Sequence, residues 1–310
     1  MVEQTIEGMA ERRPRRMARF RNWAVYAALL PAGLIAIFAY VGTVIWTVWM
    51  SFTSSKLVPL NAFAGMMQYE RLFADPKWRI AISNLFFYCA FFIVVSLVLG
   101  FLLAVALDQR VRAEGAFRTL FLYPQGMSFI VTGLVWQWIM NPTLGLQRVA
   151  VDLGFVGLRL DWIIDPDLAI LVLVMAGTWQ ASGLVMALLL AGLRGIDPQL
   201  WSAAQIEGVP RWRYYLHIVL PQLKPMLITA TMLLTLAGVK VYELVIAMTN
   251  GGPGMATEVP TKYIMEYLFR RANVGLAMSA ATVLLMTVSA IVVPYVYVQY
   301  FRNAKTRALP

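Results

Sequence analysis

One cysteine and one histidine occur in 310 residues, and only 14% of the residues are charged. A single Cys excludes a disulfide framework and any multi-Cys metal site, and a single His excludes a His-based metal centre. No lysine follows a glycine. The residues before the six lysines are Ser55, Pro76, Leu223, Val239, Thr261 and Ala304. A phosphate-binding Walker loop needs Gly-Lys before Ser or Thr, so this chain does not hydrolyse ATP by that route. There is no HExxH, no calcium loop and no nucleophile–base constellation.

What fills the chain instead is apolar. Hydrophobic residues make up 60%, and mean hydropathy is +0.68. A soluble domain carries roughly 45–50% apolar and about 25% charged residues. The excess points to an integral membrane protein. About 20 apolar residues cross the ~30 Å hydrocarbon core as a helix. Six stretches qualify: Trp23–Met50, Ile80–Leu107, Phe117–Met140, Asp167–Gly192, Gln222–Met248 and Leu276–Tyr300. Pro124 and Gln125 interrupt the third. The run after the N-terminal arginines is too long for a cleaved leader and ends in no small-residue site, so a retained first helix is expected.

Net charge is +10, but its placement across the membrane matters more than its sum. One side of the six-span reading collects Arg12, Arg13, Arg15, Arg16, Arg19, Arg21, Arg110, Arg112, Arg118, Arg194, Arg211, Arg213, Lys224, Arg302, Lys305 and Arg307. The other holds Lys56, Arg71, Lys77, Arg79, Arg148, Arg159, Lys262, Arg270 and Arg271. The richer side is read as cytoplasmic, which places both termini there. Nucleic acid is not an expected partner; membrane lipid is.

The most informative segment lies between the fourth and fifth spans. Asp197 reads as a helix N-cap with Pro198 at the first helical position. The short helix ends near Glu207 at Gly208, an αL stop. Ala203 and Ala204 read as exposed small residues on a docking element; an amphipathic helix on the inner leaflet is the other reading. Arg211 to His217 reads as a second short helix leading to Pro221.

Within the spans, Lys240 and Glu243 are three residues apart, hence neighbours on one helix face. Ionisable groups in lipid face a partner or a water-filled pathway. They read either as a solute-facing site or as an ion pair, mutual or holding a partner; Tyr242 points elsewhere. Trp179 and Gln180 offer an aromatic face and an amide, which suits a sugar; interhelical packing is the alternative. Trp136 and Trp138 read as an interfacial belt. Asn250–Gly254 reads as a turn, Glu258–Arg271 as a short surface helix, and Cys89 as a packing residue.

Ser202-Ala-Ala-Gln-Ile-Glu-Gly208 followed by Ile218-Val-Leu-Pro221 resembles the Glu-Ala-Ala loop of bacterial ABC importer permeases. Ser202 stands where the family has Glu, and Glu207 where Asp is common. Gly100–Leu107, Phe117–Pro124, Trp136–Trp138, Asn141-Pro142, Asp161–Pro166, Gly177-Thr-Trp-Gln180 and Lys240–Gly254 are similar, in order and spacing, to the carbohydrate branch of maltose and glycerol-phosphate type. The resemblance implies an all-α integral membrane protein with six transmembrane helices, a type I ABC importer transmembrane domain with cytoplasmic termini. Its parts are a basic segment 1–22, a first span 23–50, an outer loop 51–79, a five-helix core 80–300 with a coupling loop 193–221, and a tail 301–310. The implied function is that of a non-catalytic permease subunit in the bacterial inner membrane. It forms a sugar pathway with a second homologous permease, with Trp179, Gln180, Lys240, Tyr242 and Glu243 along it. Two ATPase copies carry ATP and Mg, and this chain binds no cofactor. They couple through the 198–212 loop at Ser202, Ala203, Ala204, Glu207, Gly208 and Arg211, and an extracytoplasmic binding protein delivers solute. The alternative is a self-sufficient secondary transporter using Lys240/Glu243. That class tends to show inverted repeats, and none is visible.

Overall fold

The computed structural model describes residues 15–58, 62–109, 111–155, 157 and 159–297. The first fourteen residues and the 301–310 tail lie outside that set. Among the described residues the chain is helical, with one isolated bridge, Thr53 to Phe63.

Four helices are long and apolar enough to cross a membrane: Tyr26–Ser51, Pro76–Asp108, Ala169–Leu193 and Val274–Tyr295. The first is built from α1 (Arg15–Ala36), a π-helical turn (Ile37–Gly42) and α2 (Thr43–Ser51). From Tyr26 to Trp49 it leaves its apolar side chains largely bare, and only Met50 and Ser51 at its end are buried. There α2 packs along the last helix, α15 (Val274–Tyr297). The short α3 (Met67–Ala74) also packs on α15, and its Tyr69 hydroxyl meets the Ser51 hydroxyl at the end of α2 at 2.7 Å.

The second long helix, α4 (Pro76–Asp108), starts as its sequence dictates. Asp75 caps it by accepting from the Lys77 N–H at 2.9 Å, and Pro76 takes the first turn, where no intrahelical partner for N–H exists. Ala81, Leu85, Tyr88, Phe92, Ser96, Gly100, Ala104 and Leu107 form its buried stripe. That spacing of three and four is the helical repeat. The stripe lies on α8 (Ala169–Leu193), the most buried helix of the fold. α8 is apolar on all sides, which fits a helix surrounded by other helices.

The remaining expected spans are interrupted. The third consists of α5 (Glu114–Leu122), a 3-10 turn (Tyr123–Gly126) and α6 (Phe129–Ile139). Pro124 supplies no N–H, so the α ladder does not continue through it. The fifth is expected as one helix, Gln222–Met248. Instead α12 (Lys224–Val239) stops at Lys240, and α13 (Tyr242–Met248) resumes after Val241. A bend of 73° separates α12 from the segment 211–222 before it.

One end of the bundle carries the 194–222 segment and is called here the Gly208 end. α9 (Pro198–Ile206) lies there, followed by α10 (Arg211–Arg213), a π turn (Tyr214–Val219) and α11 (Leu220–Gln222). The opposite, Glu258 end carries α3, α7 (Leu146–Asp152) and the surface helix α14 (Pro260–Met265), which runs on as a π turn to Arg270. Asn250–Gly254 is a turn, as composition implies: Asn250, Gly251 and Gly254 all have positive φ.

Candidate functional site

The two interrupted spans lie side by side. α6 and α13 pack together, and a Cβ placed on Gly133 would stand 2.5 Å from the Ala247 Cβ and 3.3 Å from the Leu244 carbonyl. Both spans run from the Gly208 end toward the Glu258 end. The contact therefore sets Met127–Ser128 at the level of Lys240–Val241, so the two helix breaks share one depth.

In the first break the backbone turns extended at Met127 and Ser128. The Ser128 hydroxyl then caps α6, accepting from the Val131 N–H at 3.3 Å. The freed carbonyl of Met127 is taken by Gln180 of α8, whose side-chain amide donates to it at 2.8 Å. Gln180 is 3% exposed. Trp179 turns the other way. Its ring meets Trp136 edge-on at 6.2 Å, and it lines an apolar cavity of about 860 Å³ with Phe91, Leu99, Phe121, Trp162 and Met175. Successive helix residues point about 100° apart, so ring and amide serve different neighbours. Trp136 thus faces inward, whereas Trp138 is 73% exposed, as an interfacial residue would be.

In the second break Lys240 and Glu243 are both exposed, Val241 is buried and Tyr242 is half-buried. The expected continuous helix face between the two charges is absent, because the α12–α13 break falls inside their spacing. They do not pair with each other, and neither has an ion-pair partner among the described residues. Leu233, Leu236 and Ile246 continue the exposed stripe on either side. Cys89 packs on this span, its Sγ lying 2.8 Å from where a Gly238 Cβ would be.

At the Gly208 end the caps are formed as the sequence implies. The Asp197 carboxylate accepts from the Gln199 N–H at 2.9 Å, Pro198 opens α9, and Gly208 sits at φ 69°. The Val209 N–H returns to the Ala204 carbonyl at 2.9 Å. Ser202, Ala203, Glu207 and Arg211 are exposed. Ala204 is not: it is 3% exposed and belongs to the core. The reason is tertiary, since its face of α9 rests on the chain's own helices. The outward face is instead Leu200, Ala203 and Ile206, spaced three apart, with Ile206 88% exposed. Trp212 adds a half-exposed ring nearby. Sequence reading missed Leu200, Ile206 and Trp212; their i, i+3, i+6 spacing on an exposed helix is the signal that finds them. The segment is held from behind. Arg194 meets Glu114 of α5 at 2.6 Å, Trp201 stacks edge-on to Tyr214 at 4.7 Å, and Arg211 lies over Trp201 at 6.0 Å.

The Glu258 end holds an ionic knot. Lys77 of α4 contacts Glu266 at 2.5 Å and Glu258 at 3.5 Å, Lys262 contacts Glu258 at 2.8 Å, and Arg271 contacts Glu266 at 2.9 Å. The hydroxyls of Tyr263 and Tyr267 donate to Asp75 at 2.8 and 2.9 Å. Burial pushes the Glu266 carboxyl up, but Lys77, Arg271 and Lys262 outweigh it and hold it at about 2. Burial acts the same way on Asp75, and the two tyrosine hydroxyls with the Lys77 N–H leave it below its ordinary value.

A family model described as binding-protein-dependent transport system inner membrane component matches residues 97–303, two-thirds of the chain. The chain belongs to that family. A probable ABC transporter permease of Pyrococcus horikoshii is 36% identical over 88% of this permease and 94% of its own length. A xylose/arabinose import permease of Haloferax volcanii is 30% identical over 87% and 86%, and a trehalose/maltose transport permease of Thermococcus litoralis 28% identical over 90% and 94%. In fold, the permease is similar to a bacterial ABC transporter involved in import of the acidic polysaccharide alginate. The TM-score is 0.76 at 19% identity, over 94% of this chain and 99% of that one. The sequence resemblance to ABC importer permeases therefore stands: this is a non-catalytic subunit of the inner membrane.

Proposed function

We propose that the chain is one of two homologous permeases forming the pathway of an ATP-driven importer for a sugar or sugar-like solute. Two copies of an ATPase subunit, carrying ATP and Mg, drive it, and an extracytoplasmic binding protein supplies it. In this reading the chain crosses the membrane six times, counting each broken span once, with both termini cytoplasmic. The distribution of lysine and arginine supports that orientation. The Gly208 end then faces the cytoplasm.

The observation that carries the proposal is α9. It is a capped helix at that end, with Leu200, Ala203 and Ile206 turned outward and Ala204 anchored inward. An exposed apolar row on a rigid helix suits a cleft in a partner. Ser202, Glu207, Gly208 and Arg211 frame it, and motion of the ATPase passes through the 198–212 loop to α8 and α12. The pathway runs past the paired breaks, where Lys240 and Glu243 are bare and Tyr242 is half-buried. Non-helical backbone at membrane depth is tolerated where it is buried in protein or lines a water-filled cavity. Gln180 supports this wall from behind through the Met127 carbonyl, while Trp179 lines the apolar cavity on its other side. Sugar is the solute class because several relatives named for their solute are sugar permeases. Membership in a binding-protein-dependent family weighs against a self-sufficient secondary transporter.

The test is reconstitution of the copurified complex with its binding protein. Solute-loaded binding protein is expected to stimulate ATP hydrolysis, and the isolated chain to show none. Solute accumulation by this polypeptide alone, driven by a proton gradient, would overturn the reading.

A further inference from the structure

Trp179 faces away from the paired breaks, into the apolar cavity of about 860 Å³ between α4, α5 and α8. The α4 wall of that cavity is Phe91, Val95, Leu99 and Leu103, a single ridge at a spacing of four. Phe91, Val95 and Leu99 are each more than a third exposed, so the cavity is an open groove. At 1.5 Å per residue the ridge is about 18 Å long. It occupies the half of α4 nearer Asp108, hence the half of the fold nearer the Gly208 end. Gly183 of α8 lets α5 approach closely at Phe121, which with Leu120 and Pro124 makes the second wall. No charged side chain lines the groove. The hydroxyls of its α8 wall are engaged inside the chain: Ser182 donates to the Trp179 carbonyl at 3.2 Å, and Thr178 accepts from Ser96 at 3.5 Å.

Length, position and polarity together define an occupant. The hydrocarbon core is ~30 Å thick, so one leaflet supplies about 15 Å of it. A groove of that length, confined to one half of a spanning helix, is one leaflet deep. At its end nearer Glu258 stand Trp136 and Trp162, the latter from the link before α8. A spanning helix of another subunit laid in the groove would have to pass these rings. A chain that ends inside the bilayer need not. The other end carries a positive charge. Arg118 lies three residues before Phe121 on α5, hence beside it on the helix surface and nearer the Gly208 end. It is exposed and has no ion pair among the described residues. A basic residue at the cytoplasmic rim of a groove between spanning helices suits an anionic lipid headgroup.

We infer that the groove holds one acyl chain of an anionic phospholipid from the cytoplasmic leaflet, with the headgroup phosphate on Arg118. The apolar chain covers the α4 ridge, and its methyl end lies near Trp179 and Trp162. The inference rests on the importer reading only for the leaflet, through the orientation that makes the Gly208 end cytoplasmic. The groove and Arg118 stand without it.

The experiment titrates the whole copurified complex in detergent with phosphatidylglycerol or phosphatidylcholine carrying brominated chains, which quench tryptophan fluorescence on contact. Phosphatidylglycerol is expected to give a saturable component at several-fold lower concentration than phosphatidylcholine. Trp179→Phe, which removes the reporting ring, is expected to lose most of that component, whereas Trp138→Phe, which removes a 73%-exposed ring elsewhere, keeps it. Val95→Phe with Leu99→Phe fills the groove and is expected to abolish it. Arg118→Gln is expected to bring the two lipids to equal affinity, and Arg118→Lys to restore the preference. Absence of a saturable component, or one that survives Trp179→Phe unchanged, overturns the acyl-chain site. Equal affinity of the wild type for both lipids, or a preference that persists in Arg118→Gln, overturns the headgroup site. Quenching that appears only after the second permease is removed assigns the groove to subunit contact and also overturns the inference. No solute, ATP or binding protein enters this measurement, so failure of the importer reading shows separately, as absence of ATP hydrolysis stimulated by solute-loaded binding protein.

Discussion

The side-chain amide of Gln180 donates to the backbone carbonyl of Met127 at 2.8 Å, joining the most buried helix to the point where its neighbour unwinds. The bond satisfies the carbonyl of Met127, which lies in the extended link between the 3-10 turn at Tyr123–Gly126 and α6, where the Val131 N–H is taken by the Ser128 hydroxyl. An unpartnered buried carbonyl costs about 1–3 kcal/mol. Gln180→Leu is expected to lower the thermal midpoint of the complex and to impair uptake. An unchanged midpoint would remove the structural role assigned to the bond.

Lys240 and Glu243 stand bare at the second break. If they line the pathway, Lys240→Gln and Glu243→Gln each reduce uptake at least tenfold while the complex still assembles. Copurification with the second permease is the check. Loss of that partner, rather than of uptake alone, would make the two charges subunit glue.

Glu266 gives a pH dependence with a definite sign. Its folded pKa of about 2 lies below the ordinary 4.5. A depressed carboxyl contributes stability above its unfolded pKa and loses it as pH falls through the folded value. The destabilisation caused by Glu266→Gln is therefore expected to be full at neutral pH and to shrink between about 4.5 and about 2. A pH-independent difference in thermal midpoint would contradict the ion pairs to Lys77 and Arg271.

Orientation is testable by thiol accessibility in a Cys89→Ala background. Ser202→Cys is expected to react with an impermeant reagent only after the membrane is opened, and Arg270→Cys in intact cells. The reverse pattern would invert the topology.

Much of this was legible from local chemistry. Apolar runs marked the long helices, Asp197, Pro198 and Gly208 marked α9, and Pro124 marked the weak point of the third span. What was not legible depends on residues far apart in the chain. Asp75 meets Tyr263 and Tyr267, and Lys77 meets Glu266, across 188, 192 and 189 positions. No periodicity encodes such pairs. The break at Lys240 carries no proline, so a continuous apolar run concealed it. Ala204 and Ala203 look alike in sequence, and only the packing of α9 on the core buries one and bares the other.

The central claim is that α9 is the coupling element, and copurification of the ATPase with α9 variants tests it most directly. Extra volume or charge on a buried contact is destabilising, about 1–3 kcal/mol for overpacking alone. A β-branched residue at the φ of 69° found at Gly208 is strained. Ala203→Trp, Ile206→Asp and Gly208→Val are therefore expected to lose ATPase association and uptake. Ser202→Ala is expected to keep both, since one neutral hydrogen bond is worth roughly 0.5–1.5 kcal/mol. Full ATPase recovery and normal uptake in Ala203→Trp and Ile206→Asp would contradict the claim.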